Sequence, residues 1–278
     1  MPDNAKEEIR IADYFARVRY RGVPEANLAT LQNLHLAHAT HIPFENLEIL
    51  LDRPILLDLP SLQRKLIDEK RGGYCFEQNQ LFAAVLEELG FRVTRLAARV
   101  RYGTKRLLPR THMLLKVDID GRSYIADVGF GGEGLLEPIP LTSDKPAQQF
   151  AWEYRLLEED GLWLLQSRQD GNWHDLYAFT LEPQHGVDYE VANYYVSTHP
   201  DSRFTQTLTV QRSATEARYI LRNRELVVSK PGSSESRLIE NDESLLDILR
   251  VQFGLAFPPG TRFRFKELPS ENHQRTNP

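Results

Sequence analysis

The fold is organised around Arg71-Gly72-Gly73-Tyr74-Cys75-Phe76-Glu77-Gln78-Asn79, a glycine turn that runs directly into an amphipathic segment. This segment has apolar residues at helical spacing and a glycine at the position of a C-terminal cap, namely Phe82, Val85, Leu86, Leu89 and Gly90. The pattern predicts a helix that begins close to Cys75, the single cysteine of the chain. Unpaired backbone N–H groups and the helix dipole favour a thiolate there, so Cys75 is a candidate nucleophile. The alternative is a small buried side chain, because unpaired cysteines are commonly buried.

A β-hairpin is predicted downstream of this helix. Segment 111–118 alternates like a half-buried strand, and segment 122–128 has the composition of a returning strand. Between them, Asp120-Gly121 is the dipeptide typical of a two-residue turn. We therefore expect two antiparallel strands with a fixed register.

The register of this hairpin brings a histidine next to a carboxylate. With a two-residue loop, Leu114 lies opposite Asp127 and His112 lies opposite Gly129. His112 and Asp127 are then diagonal neighbours on one face, roughly 7 to 8 Å apart, which is within reach of a hydrogen bond between their side chains. Cys75, His112 and Asp127 thus form a candidate triad of nucleophile, base and orienting carboxylate.

These blocks resemble the arylamine N-acetyltransferase family. The resemblance rests on the cysteine block, on Thr111-His112-Met113-Leu114-Leu115, on Tyr124-Ile125-Ala126-Asp127-Val128-Gly129-Phe130-Gly131-Gly132, and on Pro43-Phe44-Glu45-Asn46-Leu47 upstream. It extends in order and spacing from Tyr14 to the region of Thr198-His199-Pro200 and weakens toward the C-terminus.

The resemblance implies an activity and a set of site residues. Cys75 would carry the acetyl group, with His112 as its partner and Asp127 as the third member of the triad. Acetyl-CoA would be the cosubstrate, aromatic amines and hydrazines the acceptors, and no metal would be needed; xenobiotic metabolism is the implied role. The implied substrate and coenzyme A contacts are Phe130, Gly131, Gly132, Thr111 and Leu108. Arg71 would support the triad residues without being one of them.

The chemistry of a thiolate fits such a reaction. Exchange of one thioester for another is nearly isoenergetic, so a cysteine can accept an acetyl group and release it again. The expected mechanism is ping-pong transfer through acetyl-Cys75, with helix N–H groups stabilising the oxyanion and His112 removing a proton from the amine. The same three residue types also serve cysteine peptidases, amidases and transglutaminase-like acyltransferases. A binding module with a structural cysteine is the non-enzymatic alternative.

The chain predicts an α+β fold in three regions. Residues 1–87 are expected to form a helical domain that carries Cys75. Residues 88–200 are expected to form a central antiparallel β-barrel or curled sheet ending in a linking helix. Residues 201–278 are expected to form an α/β lid, with strands at 204–210 and 225–229 and a helix over 244–253. The whole would contain a cysteine-protease-like Cys-His-Asp core.

Composition limits the possible functions. The chain has 278 residues, of which 41% are hydrophobic, which is enough for a sizeable core. The net charge of -5 argues against a general nucleic-acid binder, because such proteins normally carry excess positive charge. The polar first residues and the lack of a long apolar run predict no targeting segment and no membrane span. A single cysteine fits a reducing cytoplasm.

Two motifs are weaker than they look. Segment 129–134 matches the dinucleotide pattern G-x-G-x-x-G, but Pro138 and Pro140 follow, so no helix N-terminus is available for a pyrophosphate. The glycines are better explained by a loop that passes close to the cysteine. His35, His38 and His41 recur every third position. Without nearby cysteine or carboxylate ligands, they are expected to be solvated helix residues and not a metal site.

A basic stretch precedes His112 and consists of Arg99, Arg101, Lys105, Arg106 and Arg110. It is either a solvated loop or a site for an anionic group such as the phosphates of coenzyme A. The sequence leaves both interpretations open.

Overall fold

The computed structural model describes residues 8–104 and 106–266. Its helices are α1 (Ile11–Val18), α2 (Leu28–His41), α3 (Leu59–Gln63), α4 (Cys75–Glu88), α5 (Gly186–Thr198) and α6 (Asp242–Phe253). Its strands are β1 (Phe44–Glu45), β2 (Arg92–Val100), β3 (His112–Ile119), β4 (Arg122–Ala126), β5 (Ile139–Pro140), β6 (Ala147–Gln149), β7 (Trp152–Glu159), β8 (Leu162–Gln169), β9 (Asn172–Phe179), β10 (Thr209–Ser213), β11 (Arg218–Arg222), β12 (Glu225–Lys230) and β13 (Ser233–Leu238). No helix within 8–104 or 106–266 is both long enough and apolar enough to span a membrane.

Helix α4 starts and ends where the sequence predicts. At its start, Glu77 Oε2 accepts a hydrogen bond of 3.1 Å from the N–H of Tyr74, the residue just before the helix. At its end, Gly90 adopts φ +85° and donates its N–H to the carbonyl of Glu87, while Phe91 donates to Leu86. This pair of bonds is the Schellman arrangement, which requires a left-handed residue and so favours glycine.

The central sheet has eight antiparallel strands in the order β5-β4-β3-β2-β9-β8-β7-β6. Three hairpins of this sheet turn at an Asp-Gly dipeptide, and in each dipeptide both residues have a positive φ. The three dipeptides are Asp120-Gly121, Asp160-Gly161 and Asp170-Gly171. Such turns match the twist of the strands that they join. Buried side chains from β2, β3, β4, β5, β7, β8 and β9 pack into one cluster. The sheet therefore curls around a common core, which confirms the predicted α+β class with a barrel-like sheet.

The β3–β4 register is the predicted one. Leu115 lies opposite Ala126, and Ile119 lies opposite Arg122 on either side of the turn. On the other side of β4, Ile125 pairs with Ile139 of β5. One face of β3 packs into the barrel core through Leu114, and the other packs against the helical layer.

A second sheet forms the C-terminal region, with the order β1-β10-β11-β12-β13. Asn241 caps α6 by accepting the N–H of Ser244 at 2.9 Å. The strand expected at 204–210 is wrong in its bounds, because Arg203–Thr205 is a short 3-10 turn and β10 begins only at Thr209. The polar side chain of Ser202 caps that turn by accepting the N–H of Phe204, an interaction that competes with a strand.

The first region contributes directly to the C-terminal sheet. Phe44 and Glu45 form β1, which pairs with β10, and the Asn46 side chain bonds the carbonyls of Phe204 and Thr207. The division of the chain at residues 87 and 200 stays a prediction.

Candidate active site

Three predicted residues meet where the N-terminus of α4 abuts one end of the barrel. Cys75 is the first residue of α4, His112 is the first residue of β3, and Asp127 directly follows β4. His112 Nε2 lies 2.7 Å from Asp127 Oδ2. Cys75 Sγ donates to the carbonyl of Thr111, the residue before His112, at 3.6 Å. Because Asp127 occupies Nε2, the ring nitrogen left for Cys75 is Nδ1.

The three side chains are buried, and their charges are coupled. Burial lowers the pKa of His112, but the charge and hydrogen bond of Asp127 and the bond with Cys75 outweigh it and raise this pKa to about 10. Burial raises the pKa of Asp127, but the charge and hydrogen bond of His112, with bonds from Asn79 and Gly129, lower it overall. At neutral pH the pair therefore consists of an imidazolium and a carboxylate. A positive ring next to the sulfur favours a thiolate.

The start of α4 supplies donors next to the sulfur. The first N–H groups of a helix have no carbonyl partner within it. Here the N–H of Tyr74 is taken by Glu77, which leaves those of Cys75, Phe76 and Glu77 at the helix start. Their dipoles can stabilise negative charge at the helix start, including charge that develops on a neighbouring oxygen.

Asn79, one turn into α4, separates the ends of β3 and β4. In the hairpin register, the next hydrogen-bonded pair after Leu115 and Ala126 would be Met113 and Val128. Instead, Asn79 Nδ2 donates to the carbonyl of Met113 at 2.7 Å, and its Oδ1 accepts the N–H of Val128 at 3.1 Å. The same Nδ2 donates to Asp127 Oδ1 at 2.9 Å. A side-chain amide therefore replaces one pair of backbone hydrogen bonds between β3 and β4 and also holds the carboxylate of Asp127.

The expectation that the α2 histidines are solvated is wrong for two of them. His35 and His38 are fully buried, and only His41 is partly exposed. His35 Nε2 accepts the backbone N–H of Asp127 at 3.0 Å, while His38 Nδ1 lies 2.9 Å from the hydroxyl of Tyr14. Both histidines share a helical face with the buried Leu31 and Leu34 of α2, and this spacing was the available signal.

Two aromatic rings enclose the imidazole. The ring of Phe130 lies edge-on to His112 with centroids 5.2 Å apart, and the ring of Tyr177 lies 4.9 Å from it. Burial and then the Asp127 charge raise the pKa of Tyr177 well above its usual value, so it is a neutral phenol. Its hydroxyl makes no hydrogen bond of normal geometry within the described chain. Tyr177 was not among the predicted site residues, since a tyrosine on a barrel strand carries no distinctive signal.

The glycines after Asp127 allow a close approach, as predicted. A Cβ on Gly129 would lie 2.7 Å from the Cα of Cys75, so only glycine lets this loop pass so close to Cys75. Gly131 and Gly132, predicted as substrate contacts, pack against the C-terminal sheet. Gly132 donates its N–H to Gln211 Oε1 at 2.8 Å, and a Cβ on Gly131 would collide with the same oxygen.

The remaining predicted contacts lie at different distances from the triad. Thr111 meets Cys75 through its carbonyl, whereas the carbonyl of Leu108 accepts a bond from Arg99 Nη1. Arg71 is buried and bonds Glu45 and Glu48, each at 2.7 Å. It therefore anchors the turn before Cys75 and does not itself bond the three catalytic candidates.

The basic stretch before His112 is largely paired within the protein. Arg99 bonds Leu108, Arg101 lies 3.5 Å from Asp175, and Arg110 lies 3.0 Å from Glu182. Lys105 lies outside the described residues. These pairings favour a structural role over a dedicated anion site.

The two weaker motifs do not form the sites that they suggest. No helix follows segment 129–134 before β5, so the dinucleotide pattern lacks the helix N-terminus that it needs. Across residues 8–104 and 106–266, no group of three or more histidine, cysteine or acidic side chains is arranged to hold a metal ion.

Comparison with known proteins gives a consistent family. Residues 27–260 match the N-acetyltransferase family model. An arylamine N-acetyltransferase of Mycolicibacterium smegmatis is 42% identical over 253 residues, covering 88% of this chain and 91% of that protein. The arylamine N-acetyltransferase of Escherichia coli K12 is 42% identical over 245 residues, covering 87% of each. A solved structure of the Mycobacterium marinum arylamine N-acetyltransferase in complex with CoA has a TM-score of 0.84 and 36% identity, covering 88% of this chain and 92% of that one.

Proposed function

Because this chain belongs to the arylamine N-acetyltransferase family, we propose that it transfers the acetyl group of acetyl-CoA to the amino nitrogen of arylamines and arylhydrazines through an acetyl-Cys75 intermediate. The observation that carries this proposal is the buried group of Cys75, His112 and Asp127 at a helix N-terminus, in which His112 bonds Asp127 and Cys75 bonds the carbonyl of the residue before His112. Coenzyme A binding is supported by the solved relative that contains it.

In the first half-reaction, the Cys75 thiolate attacks the thioester carbonyl and forms a new carbon–sulfur bond. The oxyanion of the tetrahedral intermediate is stabilised by the N–H groups at the start of α4. Collapse breaks the bond to the coenzyme A sulfur, which leaves with the proton of the His112 imidazolium. The products are acetyl-Cys75, free coenzyme A and a neutral His112.

In the second half-reaction, the neutral His112 acts as the base. The amine nitrogen attacks the acetyl carbonyl while Nδ1 accepts a proton from it. Collapse expels the Cys75 thiolate, so the thiolate and imidazolium pair is restored. Asp127 stabilises this imidazolium and fixes the ring orientation.

The aromatic surroundings support an aromatic acceptor. The ring of Phe130 lies edge-on to the imidazole of His112, and the ring of Tyr177 is tilted against it. The centroids of the Phe130 and Tyr177 rings are 5.2 Å apart. Such rings pack favourably against an aryl group. An aryl amine is also largely neutral at physiological pH, which leaves its nitrogen free to attack. A role in modifying foreign aromatic amines, and a reducing cytoplasmic setting that preserves the thiol, are part of the same proposal.

Mass spectrometry tests the intermediate. Brief exposure of the protein to acetyl-CoA without acceptor should add one acetyl group, located on Cys75 by peptide mapping. Addition of an arylamine should then remove this group and yield the acetylated amine. Cys75→Ser should show neither event, because a serine hydroxyl is not ionised at this site. An acetyl group on another residue, or none at all, would contradict the proposal.

The peptidase, amidase and transglutaminase-like alternatives predict a different donor. These enzymes would form an acyl-enzyme from a peptide or a glutamine side chain, and acetyl-CoA would leave Cys75 unmodified. The same mass measurement therefore separates them.

A further inference from the structure

The backbone at Asp127 is held by a residue far away in sequence. His35, on α2, accepts the Asp127 N–H on Nε2 and contacts the carbonyl of Leu136 through Nδ1, each at 3.0 Å. Its side chain is fully buried and lies edge-on to the ring of Phe82. One imidazole thus touches both ends of the loop between Asp127 and Leu136.

These two partners fix the protonation state of His35. A carbonyl oxygen can only accept a hydrogen bond, so Nδ1 must carry the hydrogen. A backbone N–H can only donate, so Nε2 must be bare. The ring is therefore the neutral Nδ1–H tautomer. Burial also lowers its pKa to about 4, which keeps it neutral near physiological pH.

His35 replaces a backbone hydrogen bond that the β4–β5 ladder would otherwise make at Asp127. The β4–β5 register, continued from Ile125 and Ile139, would place Asp127 opposite Glu137. Instead the strands diverge, and the Asp127 N–H bonds the imidazole. Asn79 makes the corresponding substitution on the β3 side, so the end of β4 is held open by a side chain on each flank.

We propose that His35 is a positioning residue that holds the Asp127 backbone so that its carboxylate reaches His112. The hydrogen bond from Asp127 N–H to Nε2 serves the triad. The bond from Nδ1 to Leu136 instead fixes the far end of the loop that carries Phe130. The catalytic importance of His35 rests on the proposed function. Its effect on Asp127, and through His112 on the reactivity of Cys75, is the same whether or not acetyl-CoA is the donor.

Two conservative variants separate the two bonds. His35→Asn places an amide donor near the position of Nδ1 and removes the acceptor for Asp127. His35→Gln places an amide oxygen near the position of Nε2 and removes the donor to Leu136. His38→Gln is the matched control, because His38 is equally buried on the same helix and also lies edge-on to Phe82, but bonds Tyr14.

The measurement is the rate of Cys75 alkylation by iodoacetamide at about pH 6, where reactivity reports the thiolate and imidazolium pair. We expect His35→Asn to lower this rate about tenfold, the effect of losing one buried hydrogen bond. His35→Gln should restore most of the lost rate, and His38→Gln should match the wild type at equal fraction folded. Three outcomes would overturn the proposal. The alkylation rate could fall equally in both His35 variants, it could fall as much in His38→Gln as in His35→Asn, or it could fall in none of the variants.

A second measurement uses the unmodified protein and so does not depend on variants that fold. In histidine labelled with ¹⁵N, the His35 ring should show a protonated Nδ1 and a bare Nε2. A protonated Nε2 would overturn the inference. Neither measurement uses acetyl-CoA. A failure of the His35 proposal can therefore be told apart from a failure of the proposed acetyl transfer.

Discussion

Asp127 is held by two regions that work in different ways. The β3–β4 hairpin brings it to His112 across 15 residues of chain, through a regular ladder that begins at a tight turn. Helix α2 reaches it across 92 residues through one imidazole. The hairpin determines which face carries the carboxylate, because side chains alternate along a strand. Helix α2 and Asn79 determine where the strand ends diverge, and so how the carboxylate is presented.

The largest effect is expected from Asp127→Asn, which keeps the hairpin but changes its chemistry. Oδ1 already accepts from Gly129 and Asn79, so the new amide nitrogen would face His112 Nε2. The ring would then carry its hydrogen on Nδ1, toward Cys75, and could not act as a base. Acetyl transfer should fall on the order of 10³-fold. Steady-state rates measure this, with the melting temperature as the control; more than a tenth of wild-type activity would contradict it.

Insertion of one glycine between Asp120 and Gly121 tests the register of the hairpin. If the strand shifts by one residue, Asp127 moves to the opposite face and loses His112. We expect activity to fall about 10²-fold, less than in Asp127→Asn because a β-bulge can absorb the insertion in part of the molecules. Transfer rates measure the loss, and a structure of the variant shows the register. Full activity with a shifted ladder would refute the register argument.

Between about pH 6.5 and 4.5, acid should destabilise the fold through the buried histidines of α2. Burial lowers the pKa of His35 to about 4; burial, then the nearby His35 and Arg17, lower that of His38 to about 3. Between about pH 6.5 and 4.5 the unfolded chain binds protons that the folded chain does not, so the free energy of unfolding decreases as pH falls. Each histidine contributes a loss of about 2 kcal/mol over this window.

Urea unfolding at the two ends of this window measures the loss. His38→Gln cannot titrate there and should reduce the loss by about one histidine's share. The raised pKa of His112 does not contribute, because its stabilisation is fully present below the unfolded value of about 6.5 and is lost only toward pH 10. An equal pH dependence in the wild type and His38→Gln would show that other groups are responsible.

The smallest effect is expected from Gly121→Ala, which strains the hairpin turn without moving its register. Gly121 has φ +75°, and an added Cβ would meet nothing within 4 Å. The cost is therefore the left-handed backbone alone, about 1 kcal/mol of unfolding free energy. Acetyl transfer should match the wild type. If the folded variant lost activity, the turn would influence the triad in some way other than by setting the strand register.

The sequence by itself determined the features that depend on neighbouring residues. The start of α4 at Cys75, its end at Gly90, and the turn at Asp120-Gly121 all follow from local backbone preferences and side-chain periodicity. The hairpin register follows from them, because the turn length fixes which residues face each other. This is why the sequence alone pairs His112 with Asp127.

Only the tertiary structure decided which distant side chains complete the site. The helical pattern of α2 does not show which structure its polar residues face, so the sequence predicts that His35 and His38 are solvated, although both are fully buried. The role of Asn79 depends on two strands that its own helix merely abuts. Most buried polar groups need hydrogen-bond partners, and here those of His35 and Asn79 come from distant segments that a local sequence pattern does not specify.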